Sequence, residues 1–156
     1  MKQQPPSANR VFIADDQPEV LDLLADKLRS RGKVVEAFPS GARLTERLAV
    51  DDDGVELVVL DLDFGAGEPD GIEALKRIKE QWPDMPVIIL TGKGSVEAAV
   101  DAVQQGAADF IEKDLYVEDK LELSMEKVER MLQVLKENTR LKAENEELKR
   151  QQELTG

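Results

Sequence analysis

Residues 58–71 read VVLDLDFGAGEPDG: an apolar run, two aspartates one residue apart, then a loop rich in glycine and proline. Read back to Glu56, the run ELVVL is short and, after its first residue, uninterrupted and apolar, as expected of a strand covered on both faces. A buried strand that stops at an acidic residue delivers a carboxylate to the sheet edge. Asp61 is therefore a candidate for chemistry, and Asp63 either shares that chemistry or is incidental.

Similar runs flank this one. RVFIA (10–14), KVVEAF (33–38), PVIIL (86–90) and ADFIE (108–112) read as four further strands. Between them lie helical patterns. PEVLDLLADKLRSRG (18–32) has apolar residues at 20, 21, 24 and 28, with Pro18 in its first turn and Gly32 as its stop. Ser40 is placed to cap ARLTERLAV, Asp70 to cap GIEALKRIKEQW, and Ser95 to cap VEAAVDAVQQG. A last, long helix begins near Val117. Five strands alternating with five helices predict a doubly wound α/β fold with a parallel sheet, because parallel neighbours need helical crossovers.

In such sheets ligands bind beyond the carboxyl ends of the strands. Five side chains fall there: Asp15 and Asp16 after the first strand, Asp61 after the third, Thr91 after the fourth and Lys113 after the fifth. Three clustered carboxylates repel one another unless positive charge lies between them. A hard divalent cation such as Mg²⁺, with Lys113 as a mobile point charge, supplies it. The set suits a phosphoryl group carried on Asp61, with Thr91 donating to one of its oxygens.

Composition narrows the choice from the other side. The chain has no cysteine and no histidine, which excludes thiolate chemistry, His-based triads and most zinc sites. With 33 acidic against 21 basic residues, a net charge of −12 argues against direct nucleic-acid binding. No stretch has the length and apolarity of a membrane span, and the first nine residues lack the apolar core of a signal peptide. A cytoplasmic protein with a disordered arm over residues 1–9 is expected.

From about Arg10 to residue 130 the chain resembles the receiver domain of bacterial two-component response regulators. FIADDQPEVLDLL, VVLDLD and VIILTGKGSVEAAVDAVQQGAADFIEK occur in the family's order and spacing. The last block is most similar to regulators of the nitrogen-regulation type, whose effectors are AAA+ transcription activators. The resemblance implies a flavodoxin-like sheet of order 2-1-3-4-5 and phosphorylation of Asp61 by a sensor histidine kinase. It implies Mg²⁺ held by Asp15, Asp16, Asp61 and the backbone carbonyl of Asp63. Thr91 and Lys113 would hold the phosphoryl oxygens. Phe110 would be the aromatic switch, coupled to the surface of the fourth helix, fifth strand and fifth helix, a possible dimer face; its plain alternative is a core phenylalanine. Asp63 and Lys93 fall at positions that tune dephosphorylation. No enzyme activity is implied beyond self-phosphorylation from a donor and slow loss of the phosphoryl group.

Two local features depart from the family. The loop after Asp61 is about two residues longer than usual, and Asp114 follows Lys113 where the family has a cis proline. A cis bond before a non-proline residue costs about 2.5–4 kcal/mol, so a trans peptide and a different turn are expected.

Residues 131–156 read as a dimerisation linker. Met131, Asn138 and Asn145 alternate with Val134, Leu141 and Leu148 as the a and d positions of a parallel two-stranded coiled coil. Glu137 and Glu144 at g face Lys142 and Lys149 at e of a partner helix. The 156 residues hold no Walker motif or helix-turn-helix, so a transcription-activator module is expected outside them. Two other functions compete. One is a Mg-dependent aspartyl-phosphate phosphatase using Asp61 and Asp63 as its D-x-D, although that family places its acidic pair after, not before, the D-x-D. The other is a dimerising adaptor indifferent to phosphorylation.

Overall fold

The computed structural model describes residues 9–62, 71–92 and 96–155, and these fall into two compact units, residues 1–124 and 125–156. The N-terminal arm, the loop after Asp61 with Asp63 and Asp70, and Lys93 and Ser95 lie outside the described residues.

Five strands and five helices alternate strictly: β1 (Arg10–Ala14), α1 (Pro18–Ser30), β2 (Val34–Phe38), α2 (Gly41–Val50), β3 (Val55–Asp61), α3 (Gly71–Gln81), β4 (Val87–Thr91), α4 (Val96–Gln104), β5 (Asp109–Glu112) and α5 (Val117–Thr155). All pairings are parallel and the order is β2-β1-β3-β4-β5, as the alternation and the family resemblance predicted.

Local chemistry sets the ends of the helices. Pro18 occupies the first turn of α1, where its missing N–H costs nothing. Gly32, at φ +84°, turns the chain out of that helix into a conformation that a residue with a Cβ rarely adopts. Ser40 caps α2 as expected, its hydroxyl accepting from the Arg43 N–H at 3.2 Å.

The three middle strands carry the core. Phe12, Val58, Leu60, Val87 and Ile89 point to one face, where α2 and α3 bury Leu44, Leu48, Leu75 and Ile78. The alternate residues Val11, Ile13, Val59, Ile88 and Leu90 are equally buried and point the other way. Each such side chain contributes about 1.5–3 kcal/mol by leaving water. On that second side, Glu122 of α5 receives Arg31 at 2.6 Å and Lys27 at 3.5 Å from the end of α1. The core thus fixes both layers of helices, and with them the level at which the strands end.

The second unit is a single helix, the continuation of α5. Met131, Val134, Leu141 and Leu148 are exposed along it, as are Asn138 and Asn145. Arg140 pairs with both Glu137 and Glu144 within this helix, so the glutamates assigned to the seam's flank already have an internal partner.

Candidate functional site

Parallel pairing in register brings the carboxyl ends of β1, β3, β4 and β5 to one edge. Ala14 lies beside Leu60, Asp61 beside Leu90, and Thr91 beside Glu112. Asp61 and Thr91 are the last residues of their strands rather than the first residues beyond them. Asp15 continues β1 by donating its N–H to the Phe38 carbonyl at 3.1 Å, and Lys113 continues β5 by donating to the Thr91 carbonyl at 2.8 Å.

Asp15 and Asp61 are fully buried, whereas Asp16 is exposed. Oxygens of the three carboxylates lie within 4.8 Å of one another. The Lys113 ammonium sits against the two buried ones, donating to Asp61 Oδ2 at 3.0 Å and Asp15 Oδ2 at 3.2 Å. Burial pushes the Asp15 carboxyl up from its ordinary pKa, with the Gln17 N–H and Lys113 pulling it back only in part. Burial alone would lower Lys113, but attraction to Asp15 and Asp61 outweighs that and raises it. The ammonium is therefore held charged against two buried carboxylates, at their solvent side.

A buried carboxylate pair with one cation still leaves an excess of negative charge, and Asp16 adds a third carboxylate on the open side. The donor set is all oxygen, which fits a hard divalent cation that keeps several waters.

Thr91 and Phe110 are the other expected participants. Thr91 is buried and its hydroxyl donates to the Ile111 carbonyl at 3.4 Å, toward β5. Phe110 is 40 % exposed, so it is not a core residue. The Lys113–Asp114 peptide is trans, as no described peptide bond is cis. Asp114 replaces the rigidity of a proline with hydrogen bonds, accepting from the Tyr116 N–H at 2.8 Å and from Lys120 Nζ at 2.5 Å at the start of α5.

Two residues of the site escaped sequence reasoning. Gln17 accepts from Lys113 Nζ on its side-chain oxygen at 3.1 Å and donates its N–H to Asp15 Oδ1 at 2.8 Å. A lone glutamine before a proline carries no signal of that kind. Gly71 opens α3 directly against the end of β3. A Cβ on it would lie 2.6 Å from Leu62 Cα and 2.8 Å from Leu62 Cδ2, and closer still to the Asp61 carbonyl oxygen. Only glycine lets the α3 backbone approach so near the phosphoacceptor candidate.

Comparison with known proteins gives the family. Residues 11–126 match the response regulator receiver domain family. The chain belongs to that family. Its relatives include the nitrogen assimilation regulatory protein NtrX of Azorhizobium caulinodans, 32 % identical over an alignment of 144 positions that covers 86 % of this chain and 29 % of that protein. A putative NtrX-like response regulator of Rickettsia conorii is 35 % identical over 85 % of this chain and 27 % of its own length. The crystal structure of the NtrX receiver domain from Brucella abortus superposes with a TM-score of 0.68 at 32 % identity, covering 75 % of this chain and 95 % of that one. This receiver domain is thus of the nitrogen-regulation type, and the chain spans little more than a quarter of the NtrX relatives it matches. None of its described helices is long and apolar enough to cross a membrane.

Proposed function

We propose that this receiver domain accepts a phosphoryl group on Asp61 from a sensor histidine kinase and passes the resulting change along α5. The observation that carries the reading is Lys113 Nζ, 3.0 Å and 3.2 Å from two fully buried carboxylates at converging strand ends. In the transfer, an Asp61 oxygen bonds to phosphorus while the donor's bond to phosphorus breaks, and its electron pair leaves with the donor. Lys113 remains an ammonium and neutralises a phosphoryl oxygen. Asp15, Asp16 and Asp61 are the side chains that would hold Mg²⁺, with the Asp63 carbonyl as a further ligand. The ion would supply the remaining positive charge opposite the phosphoryl oxygens.

Thr91 is the switch that the geometry favours. Its hydroxyl, now donated to Ile111, is free to turn toward a phosphoryl oxygen, opening space beside β5 into which exposed Phe110 can rotate. The movement would reach the α4–β5–α5 surface and α5. The helical tail would act as a parallel dimeric linker to a transcription-activator module, with Asp63 and Lys93 tuning the lifetime of the phosphoryl group. In this reading the domain is a substrate of its kinase and turns over nothing else, which sets it apart from a D-x-D phosphatase.

The test is intact-mass spectrometry after incubation with Mg²⁺ and acetyl phosphate. A single phosphoryl adduct, labile to hydroxylamine, is expected in the wild type and absent in Asp61→Asn. No adduct in the wild type with any donor refutes the proposal.

A further inference from the structure

Lys113 has three ammonium protons, and three oxygens surround them. Two belong to the buried carboxylates of Asp61 and Asp15; the third is Gln17 Oε1 at 3.1 Å. Gln17 differs from the other two in being neutral and exposed. It lies at the mouth of the site, in an open cleft of about 370 Å³ that it lines with Asp16, Gly92 and Lys113.

Its backbone is fixed from both sides. The Gln17 N–H is bound to Asp15, and its carbonyl accepts from the Val20 and Leu21 N–H groups at 3.1 Å each, as the residue that starts α1. At that position a serine, aspartate or asparagine would cap the helix. Gln17 makes no such side-chain cap. Its side chain is committed to Lys113 instead.

We propose that Gln17 is a positioning residue that holds the Lys113 ammonium on the solvent side of Asp15 and Asp61, where phosphoryl oxygens arrive. Without it, the cation is drawn between two desolvated carboxylates and must be pulled out as a donor approaches. A neutral acceptor can do this without adding charge at the mouth. A carboxylate there would grip Lys113 as well, but would repel an anionic donor. The role rests on Asp61 being the phosphoacceptor, and it concerns the rate of the same transfer, with the same bonds made and broken.

The experiment measures initial rates of adduct formation against acetyl phosphate concentration, with Mg²⁺, for the wild type, Gln17→Met and Gln17→Glu. It is paired with the ¹H–¹⁵N signal of the Lys113 side chain in the metal-free protein. Methionine keeps the bulk of glutamine and removes the acceptor; its maximal rate should fall about fivefold with the half-saturating concentration unchanged, the loss of a partly exposed hydrogen bond to a cation. Gln17→Glu should keep the maximal rate and raise the half-saturating concentration about threefold. The ammonium signal should be protected from exchange in the wild type and Gln17→Glu, and lost in Gln17→Met. A wild-type rate and signal in Gln17→Met would overturn the proposal, as would equal losses of maximal rate in both variants. A wild type that takes up no phosphoryl group would instead overturn the assignment of Asp61.

Discussion

Gly71→Ala offers a direct measure of how closely the fold is built around Asp61. The added methyl would meet Leu62 Cα at 2.6 Å and Leu62 Cδ2 at 2.8 Å, with the Asp61 carbonyl oxygen nearer still. Comfortable carbon–carbon separation begins near 3.5 Å, so the two backbones must part by roughly 1 Å. Neither can yield like the end of a flexible side chain, because Leu62 is tied to β4 through its N–H on the Leu90 carbonyl at 3.0 Å. Overpacking of this kind costs about 1–3 kcal/mol. The intrinsic advantage of alanine over glycine in a helix, about 1 kcal/mol in the interior, offsets little of it at the first residue. A net loss near 2 kcal/mol corresponds to a fall in Tm of about 4–8 °C for a chain of this size. The same displacement moves the Asp61 carboxylate away from Lys113, and a misplacement of about 1 Å can cost a hundredfold in rate.

Thermal unfolding and the rate of adduct formation from acetyl phosphate test both parts. Gly32→Ala is the control. Its added methyl has open space, but φ +84° makes it strained by about 1–2 kcal/mol, so it should lose stability while keeping the wild-type phosphorylation rate. If Gly71→Ala melts with the wild type and is phosphorylated at the same rate, α3 does not close on Asp61 as tightly as this geometry requires.

Two further outcomes follow from the site and the tail. Mg²⁺ should raise the melting temperature of the wild type, by about 1.4 kcal/mol of added stability at ten times its Kd, and Asp16→Asn should abolish the effect while leaving the metal-free protein folded. A magnesium response that survives Asp16→Asn would remove that carboxylate from the ligand set. In sedimentation, the wild-type chain should be dimeric and Leu141→Ala/Leu148→Ala monomeric with the receiver's melting unchanged; a monomeric wild type at about 100 μM would remove the coiled coil, whose a and d residues are its whole seam.

The strands were legible because buried parallel strands read as near-continuous apolar runs, as LVVL (57–60), PVIIL (86–90) and VFIA (11–14) do. Their acidic or hydroxyl-bearing ends followed from the same rule. Asp15, Asp61, Thr91 and Lys113 were readable in the sequence because each lies at the end of a strand whose position is dictated by hydrophobic pattern. Ser40 and Pro18 were equally readable, since caps act within one helical turn.

What the sequence could not decide depends on contacts between distant segments. Phe110 could as well have been core; only the packing of β5 leaves it 40 % exposed. Gln17 is an ordinary polar residue until the crossover of the chain brings Lys113, 96 residues away, within 3.1 Å of it. Gly71 reads only as the first residue of a helix until α3 docks on the end of β3. The stretch VVLDLDFGAGEPDG determined by itself that a buried strand would present Asp61 at the sheet edge. Tertiary structure decided what surrounds that carboxylate, because burial, the reach of a lysine and the space for a Cβ are set by residues that sequence spacing does not connect.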